Sequence, residues 1–177
     1  FARGVNSGTV PMGGVAARKG IYDAFMKGPD HVIELFHGYT YSGHPLACAS
    51  AVATIDAMRE EQMVENADRI GREVLGPGLQ ALAAKHPLIG EVRGLGVFWA
   101  LDLVTDRATR EPLAPYGGSS PAMAQLQAEC RSRGYLPFVN FNRLPVVPPC
   151  NVSDDEVREG LAILDEVFAA LASYYCG

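Results

Sequence analysis

The spacing of hydrophobic and polar residues changes along this 177-residue chain, and its first third predicts mostly helix and loop. Residues 46–61, LACASAVATIDAMREE, carry small apolar side chains on nearly every side of a helix, a pattern typical of a buried helix. Pro45 fits the first turn of that helix. Before it, residues 21–26 predict a short helix and residues 14–17 a short buried strand, and a further short strand is expected within residues 31–37.

The rest of the chain alternates between helical and strand spacing. An amphipathic helix is predicted over residues 63–84, with a potential break at Gly76-Pro77-Gly78, and two strands are predicted over residues 88–104. Ser120-Pro121 begins another helix, and Ser153-Asp154-Asp155-Glu156 is a capping box that opens the last one. This order predicts an α/β fold in which helices cover one face of a small sheet with antiparallel strand pairs.

The change of pattern also predicts two domains. Residues 1–62 look like the tail of one α/β domain, cut at its start, together with the beginning of a connecting helix. Residues 63–177 look like a second, smaller α/β domain. The chain opens in the middle of a pattern at Phe1, as a fragment would.

Composition narrows the classes of function. The formal net charge is −5, from 15 basic and 20 acidic residues, and no basic run is present, so binding to nucleic acid or to a membrane surface is not expected. No apolar stretch approaches the roughly 18 residues that a membrane helix needs. The 4 cysteines form no CxxC pair, which favours free thiols in a reducing cytoplasm. The 4 histidines show no metal-binding spacing, so no metal is predicted.

Two segments carry residue types that bind anions. GYTYSGHP, residues 38–45, places hydroxyls and backbone N–H groups just before a predicted helix N-terminus, where Thr40 would donate to a phosphate. The alternative for this segment is a capped helix start over packed aromatics. Arg143 is a cation in an apolar extended stretch and is suited to clamping a carboxylate with two hydrogen bonds. Its alternative is an edge-strand arginine that faces water.

Three runs of the sequence resemble one known family. They are GVNSGTVPMGGVAARKGIYDAFMKGP, ELFHGYTYSGHPLACASAVATIDAMREE and VRGLGVFWALDL, and they are similar to the C-terminal portion of class III pyridoxal-phosphate-dependent aminotransferases. The ω-amino acid:pyruvate transaminases are nearest in pattern. The resemblance implies part of a fold-type I PLP-dependent transferase, with residues 1–62 at the end of the large PLP-binding domain and residues 63–177 as the small C-terminal α/β domain. It also implies pyridoxal 5'-phosphate as the cofactor.

The resemblance assigns roles to four residues. Where the family has the lysine that joins the cofactor through an imine, this chain has Arg3. Thr40, with the backbone of Tyr39 beside it, matches the segment that reaches the cofactor phosphate of the neighbouring subunit, which implies a homodimer or a dimer of dimers. Arg143, which lies five residues before Pro148-Pro149, matches the arginine that binds the substrate carboxylate.

The function implied is transfer of an amino group from an ω-amino acid or amine to a keto acid such as pyruvate, by a cytoplasmic enzyme. Arg3 opposes this function, because an imine needs a neutral amine and a guanidinium stays protonated. Lys19 is the nearest lysine in the sequence. The alternative is therefore a catalytically inactive protein or assembly partner that keeps the PLP fold, and the 177-residue chain alone is expected to be inactive.

Overall fold

The computed structural model describes residues 1–32 and 39–177. The chain forms two compact units, Phe1–Glu61 and Gln62–Gly177. The strand expected within residues 31–37 lies largely outside the described residues.

Helices and short strands follow the order that the sequence pattern predicts. The α-helices are α1 Lys19–Phe25, α2 Pro45–Glu60, α3 Met63–Ile70, α4 Gly76–Lys85, α5 Pro121–Ser132 and α6 Asp154–Ala170. The strands are β1 Ile89–Leu95, β2 Phe98–Asp106, β3 Glu111–Pro112 and β4 Arg143–Val146. Short 3₁₀ turns lie at Arg3–Val5 and Ala172–Tyr174, and a π-helical segment, Gly71–Leu75, joins α3 to α4.

The first unit confirms two predicted helices and corrects two expectations about burial. Helix α2 begins at Pro45, but only Ala47 and Ala51 along its length are buried, whereas Leu46 and Val52 are exposed. The described residues therefore do not cover all the apolar side chains that surround this helix. The strand predicted at residues 14–17 is wrong, because this stretch has no regular secondary structure. Gly14 N–H and carbonyl both bond to the backbone of Phe1 (2.9 Å each), beside the bridge between Gly13 and Ala2, and Val15 beyond it is exposed.

The second unit contains an antiparallel sheet built around β2. Strand β1 pairs with one edge of β2, and strands β4 and β3 pair with β2 at successive positions. Leu101 lies opposite Leu144, and the next pair along, Asp102 opposite Arg143, points to the other face because side chains alternate along a strand. One face of the sheet is therefore apolar and the other is charged.

The core of the second unit lies between the apolar face of this sheet and helices α4, α5 and α6. Its largest fully buried side chains are Phe168, Ile70, Leu75, Leu79, Leu88, Ile89, Leu101, Leu103, Met123, Leu126, Leu144 and Leu164. The capping box at Ser153 and Glu156 is present and fixes the start of α6. This arrangement confirms the predicted α/β layer with antiparallel pairs.

The described helices and acidic, histidine and cysteine side chains bear on membrane spanning and metal binding. None of the helices there has the length and apolar character needed to cross a membrane. In the same ranges, no group of three or more His, Cys, Asp or Glu side chains is arranged to hold a metal ion.

Candidate functional site

A groove of about 400 Å³ lies beside the N-terminus of α2 in the first unit. One wall is formed by residues 11–13 and the other by residues 40–44 together with Ala47 and Cys48. Thr40, which the sequence predicts as a phosphate contact, thus lies on the groove wall. We call this cavity the Thr40 groove.

Local backbone geometry explains why the groove carries hydrogen-bond donors. Ser42 N–H donates to the Tyr39 carbonyl (3.0 Å), and Gly43 has a φ of +69°, a left-handed conformation that lets the chain turn into α2. The first backbone bond into the helix is Cys48 N–H to His44 carbonyl (2.9 Å). The N–H groups of Leu46 and Ala47 have no backbone acceptor within the described residues. They are therefore free to bind an anion, which the helix dipole also favours.

The side chains of this loop suit a phosphate. Thr40 is exposed, and its hydroxyl makes no hydrogen bond to the part of the chain that the structure describes. Tyr39 is also exposed and lies next to the groove wall. Thr40 and Ala47 line the groove, and Leu46 precedes Ala47 in the first turn of α2. One hydroxyl donor and two neighbouring N–H donors are a donor set that a phosphate group needs, so the residues present fit the phosphate of the predicted cofactor.

Arg3 lies in the 3₁₀ turn near the start of the chain and does not line the Thr40 groove. Its side chain is exposed and its φ is +41°, a left-handed conformation that is uncommon for an arginine. Its carbonyl accepts a hydrogen bond from Gly8 N–H at 3.3 Å. A guanidinium at this position does not fit covalent attachment of the cofactor, because its nitrogens are delocalised and stay protonated. Lys19 does not line the Thr40 groove either, and its Nζ lies 2.8 Å from both oxygens of Asp23 in an exposed ion pair on α1.

Arg143 lies in the second unit, at the start of β4, and forms part of a charged cluster on the sheet. Its Nε donates to Oδ1 of Asp102 at 2.9 Å, while Arg93 Nη1 lies 2.5 Å from the other oxygen, Oδ2. Burial acts to raise the pKa of Asp102, but the hydrogen bonds from Arg93 and Arg143 outweigh it and hold the pKa below its usual value. One carboxylate therefore bridges two guanidinium groups.

Sequence reasoning missed the hydrogen bonds around Asn6. This side chain is 1% exposed and bonds to the loop that follows Arg3. Thr9 in the same loop lies 2.5 Å, Oγ1 to Oγ, from Ser50 of α2. A signal was present, because Asn and Thr in VNSGTV are residues that bond to their own backbone in turns. The partner on α2 is 41 positions away and leaves no trace in a local pattern.

A second cavity, of about 550 Å³, lies in the second unit and also has no counterpart in the sequence analysis. Its wall is apolar and includes Phe98, Leu136 and Phe138, all of them exposed. Burial raises the pKa of Tyr135, which lines it, to about 12. Glu156 is the charged residue in this wall, and its carboxylate is already bonded to Ser153. The cavity therefore offers mainly apolar surface for packing.

Comparison with known proteins identifies the family. The model of the aminotransferase class-III family matches residues 1–168. A putrescine–pyruvate aminotransferase of Pseudomonas aeruginosa is 34% identical over 176 residues, which is 97% of this chain and 36% of that protein. A 4-aminobutyrate aminotransferase of Escherichia coli is 31% identical over 173 residues, covering 95% of this chain and 37% of that protein.

Solved structures agree with this result. A taurine:2-oxoglutarate aminotransferase of Bifidobacterium kashiwanohense, in complex with PLP and glutamate, superposes with a TM-score of 0.87 at 35% identity, covering 99% of this chain and 38% of that one. A PLP-bound amine transaminase from an uncultivated Pseudomonas species gives 0.85 at 35% identity over 96% of this chain and 37% of that one.

The chain thus spans between 36% and 38% of the length of these relatives. The comparisons confirm the predicted fold class, part of a fold-type I PLP-dependent transferase, and pyridoxal phosphate as the cofactor that goes with it. With its family match over residues 1–168, this chain belongs to the class III aminotransferases.

Proposed function

We propose that the whole protein takes an amino group from an ω-amino acid or amine and passes it to a keto acid such as pyruvate, with pyridoxal phosphate as cofactor. The relatives support this assignment, since they include aminotransferases for putrescine with pyruvate and for 4-aminobutyrate. The observation within this chain that carries the proposal is the Thr40 groove, which has the donors that a phosphate requires. We expect the 177-residue chain alone to be inactive, because it spans little more than a third of those relatives.

In this proposal the Thr40 groove binds the phosphate of the cofactor. The Thr40 hydroxyl donates one hydrogen bond, and the N–H groups of Leu46 and Ala47 supply others. By resemblance, this phosphate belongs to the site of a neighbouring subunit, with the backbone of Tyr39 beside it. The whole protein is accordingly proposed to be a homodimer or a dimer of dimers. All four cysteines are free thiols, which supports a reducing, cytoplasmic location.

Arg143 is proposed to bind the carboxylate of the substrate, as the resemblance implies. Its Nε is bonded to Asp102, and its two Nη groups have no hydrogen-bond partner among the described residues. These Nη groups are therefore the atoms available to a carboxylate. Asp102 would orient the guanidinium while leaving them free.

Arg3 favours a second candidate function. When bound, pyridoxal phosphate supplies an electron sink for the bond-breaking step at the substrate carbon. The residue at position 3 must offer a neutral amine, both to attach the cofactor and to carry a proton, and arginine does neither at ordinary pH. The specific prediction is that the natural sequence holds the cofactor without covalent attachment and turns over very slowly. Such a protein would be a catalytically inactive member of the family or an assembly partner.

An assay of the whole protein with and without Arg3→Lys tests both candidates. The measurement is alanine formed from pyruvate with putrescine or 4-aminobutyrate as donor. If the first candidate holds, the wild type itself forms alanine. If the second holds, the wild type forms little alanine and Arg3→Lys raises the rate by about 100-fold or more, the scale of a restored proton-transfer group. Adding Lys19→Ala to the Arg3→Lys protein serves as the control and should leave that rate unchanged. An Arg3→Lys protein that retains the cofactor yet forms no alanine with either donor would refute these donors.

A further inference from the structure

The loop that follows Arg3 is fixed from inside by Asn6. Asn6 Nδ2 donates to the Val10 carbonyl (2.5 Å), and Asn6 Oδ1 accepts from Gly8 N–H (3.2 Å). The Asn6 carbonyl accepts from both N–H (3.1 Å) and Oγ1 (2.8 Å) of Thr9. Because the Asn6 side chain is buried and bonded through both of its polar atoms, the loop over residues 6–10 has one defined conformation.

Thr9 then joins this loop to α2. A hydroxyl has a single proton, and that of Thr9 is directed to the Asn6 carbonyl. Ser50 must therefore be the donor in the 2.5 Å contact between its Oγ and Thr9 Oγ1. The result is a directed chain of hydrogen bonds from Ser50 through Thr9 to Asn6, which we call the Ser50–Thr9 latch.

The latch connects the two walls of the Thr40 groove. Residues 11–13, which form one wall, follow Thr9 directly along the chain. Ala47 and Cys48, in the other wall, lie within one helical turn of Ser50 on α2. A hydrogen bond between Thr9 and Ser50 therefore sets the spacing of the walls and limits how far residues 11–13 can move from the donors at the start of α2.

We propose that Thr9 and Ser50 are positioning residues that hold the Thr40 groove at the width a phosphate ester requires. The inference rests on the proposed function, since it needs the groove to bind the cofactor phosphate. Neither hydroxyl touches the phosphate in this account, because the Thr9 proton is directed to Asn6 and the Ser50 proton to Thr9. Their effect is to keep the phosphate donors in place before the ligand arrives, which lowers the ordering cost of binding.

Binding of PLP and of pyridoxal, which lacks the phosphate, to the whole wild-type protein and its variants tests the proposal. Thr9→Val and Ser50→Ala each remove the latch. We expect each to raise the dissociation constant of PLP by about three- to tenfold, the range for one lost hydrogen bond, while leaving that of pyridoxal unchanged. Thr9→Ser keeps the hydroxyl and should restore PLP binding. The double variant should have a PLP dissociation constant no higher than that of the weaker-binding single variant, because both substitutions remove the same contact.

Thr54→Ala is the matched control. Its hydroxyl is one turn further along α2 and donates to the Ser50 carbonyl (2.9 Å), so its loss removes a helix hydroxyl without touching the loop. We expect Thr54→Ala to bind PLP as the wild type does and to unfold at the same temperature as Ser50→Ala. Should Thr9→Val fail to fold, Ser50→Ala removes the same contact from the helix side.

The binding measurements distinguish a failure of the latch proposal from a failure of the proposed function. If the wild type binds PLP and both latch variants bind it as Thr54→Ala does, the latch proposal is overturned and the proposed function stands. If PLP and pyridoxal weaken equally, the latch supports the fold in general and its role at the phosphate is refuted. If the wild type binds no PLP at all, the proposed function itself fails, and the latch proposal fails with it.

Discussion

Arg3 combines an exposed guanidinium with a backbone φ of +41°. The sequence alone was enough to predict the chemical consequence, because the residue type is visible in FARGVN and a guanidinium cannot form an ordinary imine. The left-handed conformation could not be predicted, since glycine, which usually marks such a position, occupies residue 4 and not residue 3. For a single residue, the sequence predicts the chemistry of the side chain. The backbone conformation depends on contacts with other residues, such as the hydrogen bond from Gly8 N–H.

For Arg143 too, the sequence predicts the chemistry of the side chain but not its neighbours. An arginine in an extended apolar stretch was identified, but its partner Asp102 lies 41 positions away and became visible only through the pairing of β4 with β2. Its proposed role as a carboxylate ligand remains a prediction.

Asp102→Asn is predicted to reduce stability at neutral pH. The pKa of Asp102 lies below its usual value, so the native state gains stability from the ionised carboxylate at every pH above the unfolded pKa of about 3.9. That gain is lost as the pH falls through the lower native pKa. Removing the charge should cost about 1 kcal/mol in the free energy of unfolding at pH 7, because the cluster is partly exposed.

Urea unfolding of the whole protein at pH 7 and at about pH 3 measures this effect. The difference between wild type and Asp102→Asn should shrink at the lower pH. Asp56→Asn is the control, since Asp56 is exposed and its ion pair with Arg59 is long, at 3.9 Å. A difference that stays constant between the two pH values would show that the Asp102 charge contributes nothing.

Among the secondary-structure elements, the positions of helices could be predicted from the sequence pattern, whereas the lengths of strands could not. Strong apolar periodicity and explicit start signals, such as the capping box at Ser153, placed α5 and α6. The apolar extended stretch that contains Arg143 forms only the four residues of β4, because pairing with β2 decides where a strand begins and ends. The π-helical segment between α3 and α4 lies just before the glycines and proline at residues 76–78, where the sequence indicated a break.

Gly71→Ala is predicted to destabilise the second unit. Gly71 lies in the π-helical segment, and a Cβ placed there would be 2.1 Å from the Gly96 carbonyl oxygen in the turn between β1 and β2. That turn is also held by Trp99 Nε1, which donates to the same carbonyl at 2.6 Å. Backbone cannot move aside as a flexible side chain would, so we expect a loss of about 2 kcal/mol in the free energy of unfolding.

Gly160→Ala provides the matched control for that measurement. Gly160 lies inside α6, and a Cβ there meets only Tyr135, at an ordinary 3.7 Å. Because alanine favours helix over glycine, Gly160→Ala should raise the free energy of unfolding by about 0.5–1 kcal/mol. Equal effects of the two substitutions in urea unfolding would contradict the close approach of Gly71 to Gly96.

For the molecule as a whole, the exposed apolar residues of α2 are the main departure from the sequence pattern. Leu46, Val52 and Ile55 of α2 are exposed in the first unit, although the pattern of α2 is that of a buried helix. The relatives are more than twice as long as this chain, so we propose that the rest of the whole protein, or its neighbouring subunit, covers this surface. On this proposal, the sequence pattern reflects the environment of α2 in the whole protein, and that accounts for the overprediction of its burial here.

A peptide mass map of the whole protein, after incubation with PLP and reduction with borohydride, locates the residue that attaches the cofactor in the wild type and in Arg3→Lys. We expect a reduced pyridoxyl adduct on residue 3 of the variant, and an unmodified Arg3 peptide in the wild type. An unmodified residue 3 in the variant, with an adduct on Lys19 or another lysine in both proteins, would contradict the assignment of position 3 as the site of cofactor attachment.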